Sequence, residues 1–396
     1  MELRTIFTPK ESLQAVLSKK KELFIGVPKE VSYQETRIAL VPDSVQLLVN
    51  NGHRVIIESK AGESANFYDH EYSEAGAVIS YDTSEIFKSD IILKITPPTA
   101  DEIQMMKPNQ VLFSALQKSL QQENFYADIV RKRITAFAFD FMKDKSGIFP
   151  VVRAMSEIAG NTSVLIAAEY LGNSKYGKGT MLGGVSGVPP TEVVIIGAGT
   201  VGEFAARSAL GLGALVKVFD SSMYKLRRLQ NHLGIRLYTS IISPTELKKA
   251  LKTADVIIGA FRSSTGRSPM ILTEDLMDVI PDGSVYIDIS IDQGGLAASS
   301  KVTTHNNPVY VKNGITHYCV PNIASRVPRT ASIVLSNLLA PIVLQIGDVG
   351  GIENFMHVDP FTRSGIYAYQ GGVTHRFLAD ELRLPFKDLD LLLASF

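Results

Sequence analysis

The stretch "VVIIGAGTVGEFAARSALGLGALVKVFD", residues 193–220, carries the most specific chemical pattern of the chain. Gly197, Gly199 and Gly202 form G-x-G-x-x-G between an apolar strand and a helix, and a second strand ends in Asp220. The first glycine permits a tight turn, the second lets the backbone approach a pyrophosphate, and the third allows close helix packing. The free N–H groups and the positive dipole end of the helix favour phosphate. The pattern therefore predicts a dinucleotide-binding site.

Asp220 bears on which dinucleotide binds. A carboxylate at this position accepts hydrogen bonds from the adenine ribose hydroxyls and repels a 2'-phosphate. The sequence therefore favours NAD over NADP. Lys225 and Arg227 follow on the next helix, where a cation would tolerate a phosphate, although a solvated helix residue is the more ordinary interpretation of at least one of them. Lys225 is retained as a candidate coenzyme-binding residue.

The elements that position this motif follow an alternating pattern from Leu23 onward. Short apolar runs alternate with longer helical segments, as in parallel sheets joined by crossover helices. A first series of strands, "LFIGV", "HRVIIE", "DIILKIT", "VLFSAL" and "ITAFAF", is followed by a helix at 154–172. After a Gly- and Pro-rich junction comes a second series, "EVVIIGAG", "ALVKVFD", "IRLYTS", "DVIIGAF" and "SVYIDIS". The pattern predicts two α/β domains, with final helices near 329–346 and 371–383 that pack back on the first.

Composition narrows the class of partner. The 396 residues include 40 Lys plus Arg and 40 Asp plus Glu, and this balance favours neither nucleic acid nor an anionic membrane. The single cysteine, Cys319, excludes a disulfide framework, fits a reducing cytosol and is expected to be buried. The first 22 residues are charged throughout, unlike a secretory signal, and are predicted to form an extra amphipathic helix. We expect no uncharged window near the roughly 18 to 20 apolar residues of a membrane helix, and hence a soluble, cytoplasmic protein with a small ligand and no metal site.

Several further segments resemble a known family. "GVPKEVSYQETRIALVPDSV", "LLVNNGHRVIIESKAG", "MSEIAG", "GGVSGVPPTEVVIIGAGTVG", "IDISIDQGG" and "HYCVPN" are similar to the alanine dehydrogenase and NAD(P) transhydrogenase alpha-subunit family, alanine dehydrogenases most closely. The resemblance runs from about Leu23 to the C-terminus. It implies two Rossmann-like domains with parallel sheets: a substrate domain of residues 1–151 plus 329–396, and an NAD-binding domain of residues 152–328. It also implies an active-site cleft between them and a homo-oligomer, commonly a hexamer.

The same resemblance assigns site residues. Oxidative deamination of an amino acid needs cations for the carboxylate and a group that moves protons. Arg37 matches the family's carboxylate-binding arginine, Lys94 its substrate-binding lysine and Asp292 its catalytic aspartate. Asn322 matches an asparagine near the nicotinamide, and Ser156 a serine that contacts the coenzyme. Without the resemblance, Arg37 is more typical of a surface arginine, and the last two of caps or loop residues. Lys94 follows apolar residues in a strand, a placement that favours a lysine reaching a cleft or an anion over an edge-strand lysine that snorkels.

Gln117 departs from the family pattern. In alanine dehydrogenases a histidine is expected after "LFSAL", where it bonds the substrate oxygen and acts as acid and base. Glutamine donates and accepts hydrogen bonds but does not titrate near neutral pH. Proton transfer would then fall to Asp292, to Lys94 with a lowered pKa, or to water. Because general acid/base catalysis contributes roughly 10² to 10⁴ in rate, its loss predicts a slow enzyme or a different substrate.

Three functions follow from these residues. The first is NAD-dependent oxidative deamination of L-alanine, or a similar small L-amino acid, to pyruvate and ammonia. The second is a saccharopine-type or carboxyalkyl amino acid dehydrogenase, in which an amine larger than ammonia joins the 2-oxo acid and the Gln117 amide recognises it. The third is an NAD(H)-binding transhydrogenase-like subunit without deaminating activity, which would need partner chains for a membrane segment.

Overall fold

The structure, a computed structural model, describes residues 20–32, 34–116, 124–262 and 268–394. Gln117 lies outside the described residues, and so does most of the helix predicted for the first 22 residues. Every statement below concerns the described part of the chain.

The first part of the chain alternates strands with helices, as its sequence predicts. Its strands are β1 (Phe24–Val27), β2 (Arg54–Glu58), β3 (Val78–Ser80), β4 (Ile91–Leu93), β5 (Val111–Ser114) and β6 (Thr135–Ala138). Its helices are α1 (Pro42–Asn50), α2 (Asp69–Glu74), α3 (Thr83–Ile86), α4 (Ala100–Met105) and α5 (Phe125–Arg131), and the long helix α6 (Pro150–Leu171) leads to the second part. The five predicted strands are confirmed as β1, β2, β4, β5 and β6, whereas β3 is additional.

The second part repeats the alternation around the glycine motif. Its strands are β7 (Glu192–Ile196), β8 (Leu215–Asp220), β9 (Tyr238–Ile241), β10 (Val256–Gly259), β11 (Val285–Asp288), β12 (Val309–Lys312) and β13 (Ile315–Tyr318). Its helices are α7 (Thr200–Gly211), α8 (Met223–Leu233), α9 (Pro244–Leu251) and α10 (Glu274–Met277). The five predicted strands correspond to β7 through β11, and the hairpin of β12 and β13 was not foreseen as a pair.

The C-terminal part returns to the first sheet. It contains α11 (Pro328–Asp348), α12 (Ile352–Val358), β14 (Ile366–Tyr369), β15 (Gly372–Val373), α13 (Arg376–Leu382) and α14 (Leu389–Ala394). The helix predicted near 371–383 is wrong at its start, because residues 372–373 pair with β14 and the helix begins at Arg376. A strand of two residues leaves little local signal, and this one forms because β14, which itself pairs with the distant β6, offers it a partner.

Two mostly parallel sheets result, and the predicted α/β class is confirmed. In the described residues the first sheet has eight strands in the order β15-β14-β6-β5-β4-β1-β2-β3, and the second has seven in the order β12-β13-β11-β10-β7-β8-β9. The antiparallel pairs are those of β14 with β6 and β15, and of β12 with β13. In both sheets the carboxyl ends of the parallel strands lead into polar loops, where ligands usually bind. The predicted domain limits stay a prediction; α6 crosses the limit at 151/152, and α11 begins at Pro328.

Helix α11 contradicts the expectation that the chain has no uncharged window as long as a membrane helix. Residues 330–347 contain no charged side chain, so the chain does have an uncharged window of 18 residues. Among the described residues this is the one helix long and apolar enough to cross a membrane by length and composition, and half of it is buried within the fold. Leu335, Leu339 and Val343 recur on one face and pack in the core of the first sheet. Cys319, as predicted, is buried.

Candidate active site and coenzyme-binding loop

The glycine loop between β7 and α7 has the geometry that its spacing demands. Gly197 has a φ of +117°, a conformation that side chains rarely adopt. A Cβ on Gly202 would collide with the carbonyl oxygen of Gly197, so only glycine lets α7 start this close to β7. A Cβ on Gly199, in contrast, would meet no protein atom within 4 Å. The backbone at Gly199 therefore faces open space, which suits the approach of a pyrophosphate.

Asp220 ends β8 beside this loop and is only 1% exposed. Its Oδ2 accepts the Ala198 N–H at 2.7 Å, and its Oδ1 accepts the Ser222 N–H at 2.8 Å. The carboxylate thus joins the glycine loop to the start of α8, and each oxygen retains a lone pair for a ligand hydroxyl. The Nζ of Lys225 lies 4.0 Å from Oδ2 and partly neutralises the charge.

Arg37 lies in the loop after β1 and is 6% exposed, so it is not a surface arginine. Glu35 holds its guanidinium bidentately, with Nε to Oε1 at 2.7 Å and Nη2 to Oε2 at 2.6 Å. The Nη1 atom faces the sulfur of Met155 in α6 at 3.5 Å. Burial acts to lower the pKa of Arg37, but Glu35 outweighs it and the pKa lies above its usual value. A substrate carboxylate would therefore share Arg37 with an internal carboxylate.

Lys94 follows the last residue of β4 and is buried, with its side chain 0% exposed. Its Nζ contacts Glu102 Oε1 at 2.8 Å and Glu30 Oε2 at 3.4 Å. Burial acts to lower the pKa of Lys94, yet the two carboxylates outweigh it and the pKa is raised. The lowered pKa considered for Lys94 is thus wrong: the ammonium stays charged and acts as a cation, not as a base near neutral pH.

Asp292 lies in the 3-10 turn that follows β11 and is exposed to solvent. Although the residue as a whole is exposed, the protein packed around its carboxyl desolvates that group and raises its pKa, while the Asn322 N–H, which donates to Oδ1 at 3.2 Å, and the charge of Arg37 act to lower it. A carboxylate that is accessible and has a raised pKa suits proton transfer. Asp288, by contrast, is buried and accepts bonds from the Leu296 N–H and the Ser300 hydroxyl, a structural role.

Asn322 connects Asp292, which follows the second sheet, with Glu35 and Arg37, which follow the first strand of the first sheet. Its Nδ2 donates to Glu35 Oε2 at 3.0 Å and to Ser325 Oγ at 2.7 Å, and it adopts a left-handed conformation with φ 54°. The chain Asp292–Asn322–Glu35–Arg37 therefore crosses from the end of the second sheet to the end of the first. The structure brings together Arg37, Asp292 and Asn322 by these contacts, and Lys94 joins them through Glu30, whose charge acts on Arg37.

The Ser156 hydroxyl donates to the Val152 carbonyl of its own helix, α6, at 2.7 Å. Its neighbour Met155 contacts Arg37, so this turn of α6 borders the site. At the end of β5 the Leu116 N–H donates to Asp140 Oδ1 at 3.0 Å, and burial raises the pKa of Asp140. A titratable carboxyl thus contacts the backbone of Leu116, the residue that precedes Gln117 in the sequence.

Four carboxylates of this site were missed by sequence reasoning: Glu30, Glu35, Glu102 and Asp140. Glu102 had a local signal, because Thr99-x-x-Glu102 is a capping box; its Oε2 accepts the Thr99 N–H at 2.7 Å while Oε1 binds Lys94. Glu30 and Asp140 follow strands β1 and β6, where ligand-site residues often lie. The pairing of Glu35 with Arg37 had no signal beyond proximity in the sequence.

Family comparison covers almost the whole chain. A model described as "Alanine dehydrogenase/PNT, N-terminal domain" matches residues 26–159, and one described as "Alanine dehydrogenase/PNT, C-terminal domain" matches residues 163–376. The chain is 35% identical over 367 residues to alanine dehydrogenase 2 of Staphylococcus aureus (strain USA300), covering 92% of this chain and 98% of that protein.

Solved structures agree with this match. An L-alanine dehydrogenase superposes with a TM-score of 0.84 at 33% identity, covering 91% of this chain and 100% of the other. A transhydrogenase from Sinorhizobium meliloti superposes with a TM-score of 0.75 at 22% identity, covering 89% and 99% respectively, and shares the fold.

Proposed function

The chain belongs to the alanine dehydrogenase/PNT family, and from this premise we propose that it catalyses the reversible oxidative deamination of L-alanine, or a similarly small L-amino acid, to a 2-oxo acid and ammonia. The observation that supports this most directly is the convergence of Arg37, Lys94 and Asp292 through shared carboxylate and amide partners at the carboxyl ends of two sheets. A dinucleotide with a nicotinamide ring is the coenzyme of this reaction.

The charge of each residue determines its proposed role in the reaction. Arg37 and Lys94 are cations that stay charged at all physiological pH values, and they hold the substrate carboxylate. Asp292 accepts a proton from the amino group, so that a neutral amine carries the lone pair that assists hydride loss from Cα. A bound nicotinamide would supply the hydride acceptor. Water then adds to the iminium carbon, Asp292 returns its proton to the nitrogen, which leaves as ammonia, and the two protons of the water pass to solvent as the C–O double bond forms.

We propose NAD as the preferred coenzyme, because the Asp220 charge lies at the loop where the adenine ribose would bind. Asp220→Asn should raise the ratio of kcat/KM for NADP to that for NAD by roughly 100-fold, since two unit charges about 5 Å apart interact by about 3 kcal/mol at an effective dielectric constant near 20. Steady-state kinetics with both coenzymes measure the ratio. An unchanged ratio would show that Asp220 does not face the ribose.

The proposed reaction is tested by adding L-alanine and NAD at alkaline pH and following NADH formation, beside the same assay on Gln117→His. If the family's chemistry is present but weakened by glutamine, histidine should raise alanine turnover by roughly 10²- to 10⁴-fold, the usual contribution of general acid/base catalysis. The reverse reaction is screened with pyruvate and 2-oxoglutarate, each against ammonia, lysine and ornithine.

These assays separate the competing functions. Suppose that activity is seen only with lysine or ornithine and is abolished in Gln117→His. The enzyme would then join a larger amine to the 2-oxo acid, and the proposed deamination would be wrong. Binding of NADH without turnover of any amino acid or 2-oxo acid would indicate a nucleotide-binding subunit. We further propose that the protein forms a homo-oligomer, specifically a hexamer, and that it is located in the cytoplasm. The family match supports both proposals.

A further inference from the structure

The peptide units around Ala198, inside the glycine loop, are held from two sides. Its N–H donates to Asp220 Oδ2 at 2.7 Å. Its carbonyl oxygen accepts the Nη2 group of Arg228 at 3.3 Å. Both partners lie outside the loop, Asp220 at the end of β8 and Arg228 in the second half of α8. Ala198 itself is fully buried.

This double contact sets the direction of the next N–H group. In a trans peptide the C=O and the following N–H point in opposite directions, and the described residues contain no cis peptide. With the Ala198 carbonyl turned toward Arg228, the N–H of Gly199 points away from α8. The space beside Gly199 is open as well, since a Cβ built on this residue would meet no protein atom within 4 Å beyond its chain neighbours. We therefore expect the pyrophosphate to reach this N–H.

The environment of Arg228 agrees with a role for its charge at the loop. Its Nε is buried and has no hydrogen-bond partner among the described residues. The ion pair of the neighbouring Asp220 is with Lys225, at 4.0 Å. An unpaired buried donor costs free energy. The hydrogen bonds that Arg228 makes therefore do not by themselves explain why its guanidinium is partly buried. A positive charge beside the loop, however, favours a bound phosphate.

We propose that Arg228 is a positioning residue of the coenzyme site: it holds the Ala198–Gly199 peptide in the orientation that presents its N–H to the pyrophosphate of the dinucleotide. This inference rests on the proposed function only in requiring a dinucleotide. It does not depend on which amino acid is oxidised.

The test compares Arg228→Met with Arg227→Met, a matched control. Arg227 is the adjacent residue of α8, is exposed, and loses the same charge on substitution. The dissociation constants of NADH, followed by its own fluorescence, and of ADP-ribose, by displacement of NADH, are measured on the full chain without amino acid. Arg228→Met should weaken both ligands about tenfold, as for loss of one charge-assisted hydrogen bond. Arg227→Met should change them less than about twofold.

Two further measurements separate positioning from general damage. Arg228→Lys, which keeps the charge, should recover part of the lost affinity. At saturating coenzyme, kcat of Arg228→Met should stay near that of the wild type, because among the described residues Arg228 bonds to the glycine loop and not to a residue of the substrate site. A fall in kcat with unchanged coenzyme affinity would overturn the proposal, and so would equal losses in the two methionine variants.

The rival role is direct contact with a 2'-phosphate. In that case Arg228→Met would weaken NADPH and spare both NADH and ADP-ribose, which contradicts the proposal. If the wild type binds NADH tightly but oxidises no amino acid, the proposed reaction fails while the role of Arg228 is still tested by the binding constants. If it binds no dinucleotide, both fail.

Discussion

Asp292→Asn is expected to lower kcat for L-alanine oxidation by roughly 10² to 10⁴, the usual contribution of a general acid/base. The amide keeps the size of the side chain and can still accept the Asn322 N–H, so the turn after β11 should persist. It cannot take up a proton. Initial rates at saturating L-alanine and NAD measure the loss.

The pH profile gives a second readout of the same change. Asp292 must be ionised to accept a proton, so activity should fall as the pH falls through its pKa, which desolvation of the carboxyl by the surrounding protein raises above the ordinary value of an aspartate. This acid limb should disappear in Asp292→Asn. Asp278→Asn, an exposed aspartate bonded to Asn313, is the control and should retain full activity. An Asp292→Asn enzyme with unchanged kcat and an unchanged acid limb would exclude Asp292 from proton transfer.

Lys94→Met is expected to lower the free energy of unfolding by roughly 3 to 5 kcal/mol near neutral pH, the cost of removing one member of a buried ion pair. Methionine fills a similar volume, but Glu30 and Glu102 then lose the cation that lies 3.4 and 2.8 Å away. Substrate binding should be lost as well, since Lys94 is proposed to hold the carboxylate. Urea denaturation and the KM for L-alanine measure the two effects.

The stability deficit should depend on pH in a definite direction. Burial already raises the pKa of Glu30 above its unfolded value, although Lys94 partly opposes this. Without Lys94 the pKa rises further, so the folded variant binds a proton that the unfolded chain does not, and its stability increases as the pH falls from 7 toward 5. The gap from the wild type should therefore narrow. Lys88→Met, an exposed lysine paired with Glu85, is the control and should behave as the wild type. A deficit that is small, or that widens on acidification, would contradict the triad of Glu30, Lys94 and Glu102.

If Arg37 binds the substrate carboxylate as proposed, its pairing with Glu35 would affect how that carboxylate binds. Because Nε and Nη2 are already engaged, we expect the carboxylate to bind Nη1, which faces the Met155 sulfur, or to displace Glu35. Glu35 also binds Asn322 and Ser325, so displacement would loosen the link between the two sheets. We therefore expect substrate binding and the relative position of the two sheets to be coupled through Glu35.

The sequence by itself determined the coenzyme loop and the α/β class. Gly197, Gly199 and Gly202 are close in the chain, and their conformational demands are local, so spacing alone predicts the turn and the helix that follows. Alternating apolar runs likewise predict the parallel strands, because a strand buried on both faces is apolar along its length. Gln117 is known from the sequence as an untitratable residue at a key position, outside the described residues.

Only the tertiary structure decided which charges meet. Glu102 is eight residues from Lys94 and Glu30 is 64, yet both carboxylates contact the same ammonium; Asn322 reaches Glu35 across 287 residues. Such contacts depend on how two sheets are placed, which no local pattern encodes. The sign of the Lys94 pKa shift follows from those contacts, since burial alone would have lowered it. The residue types at the site were visible in the sequence, but their ionisation and their partners were set by the fold.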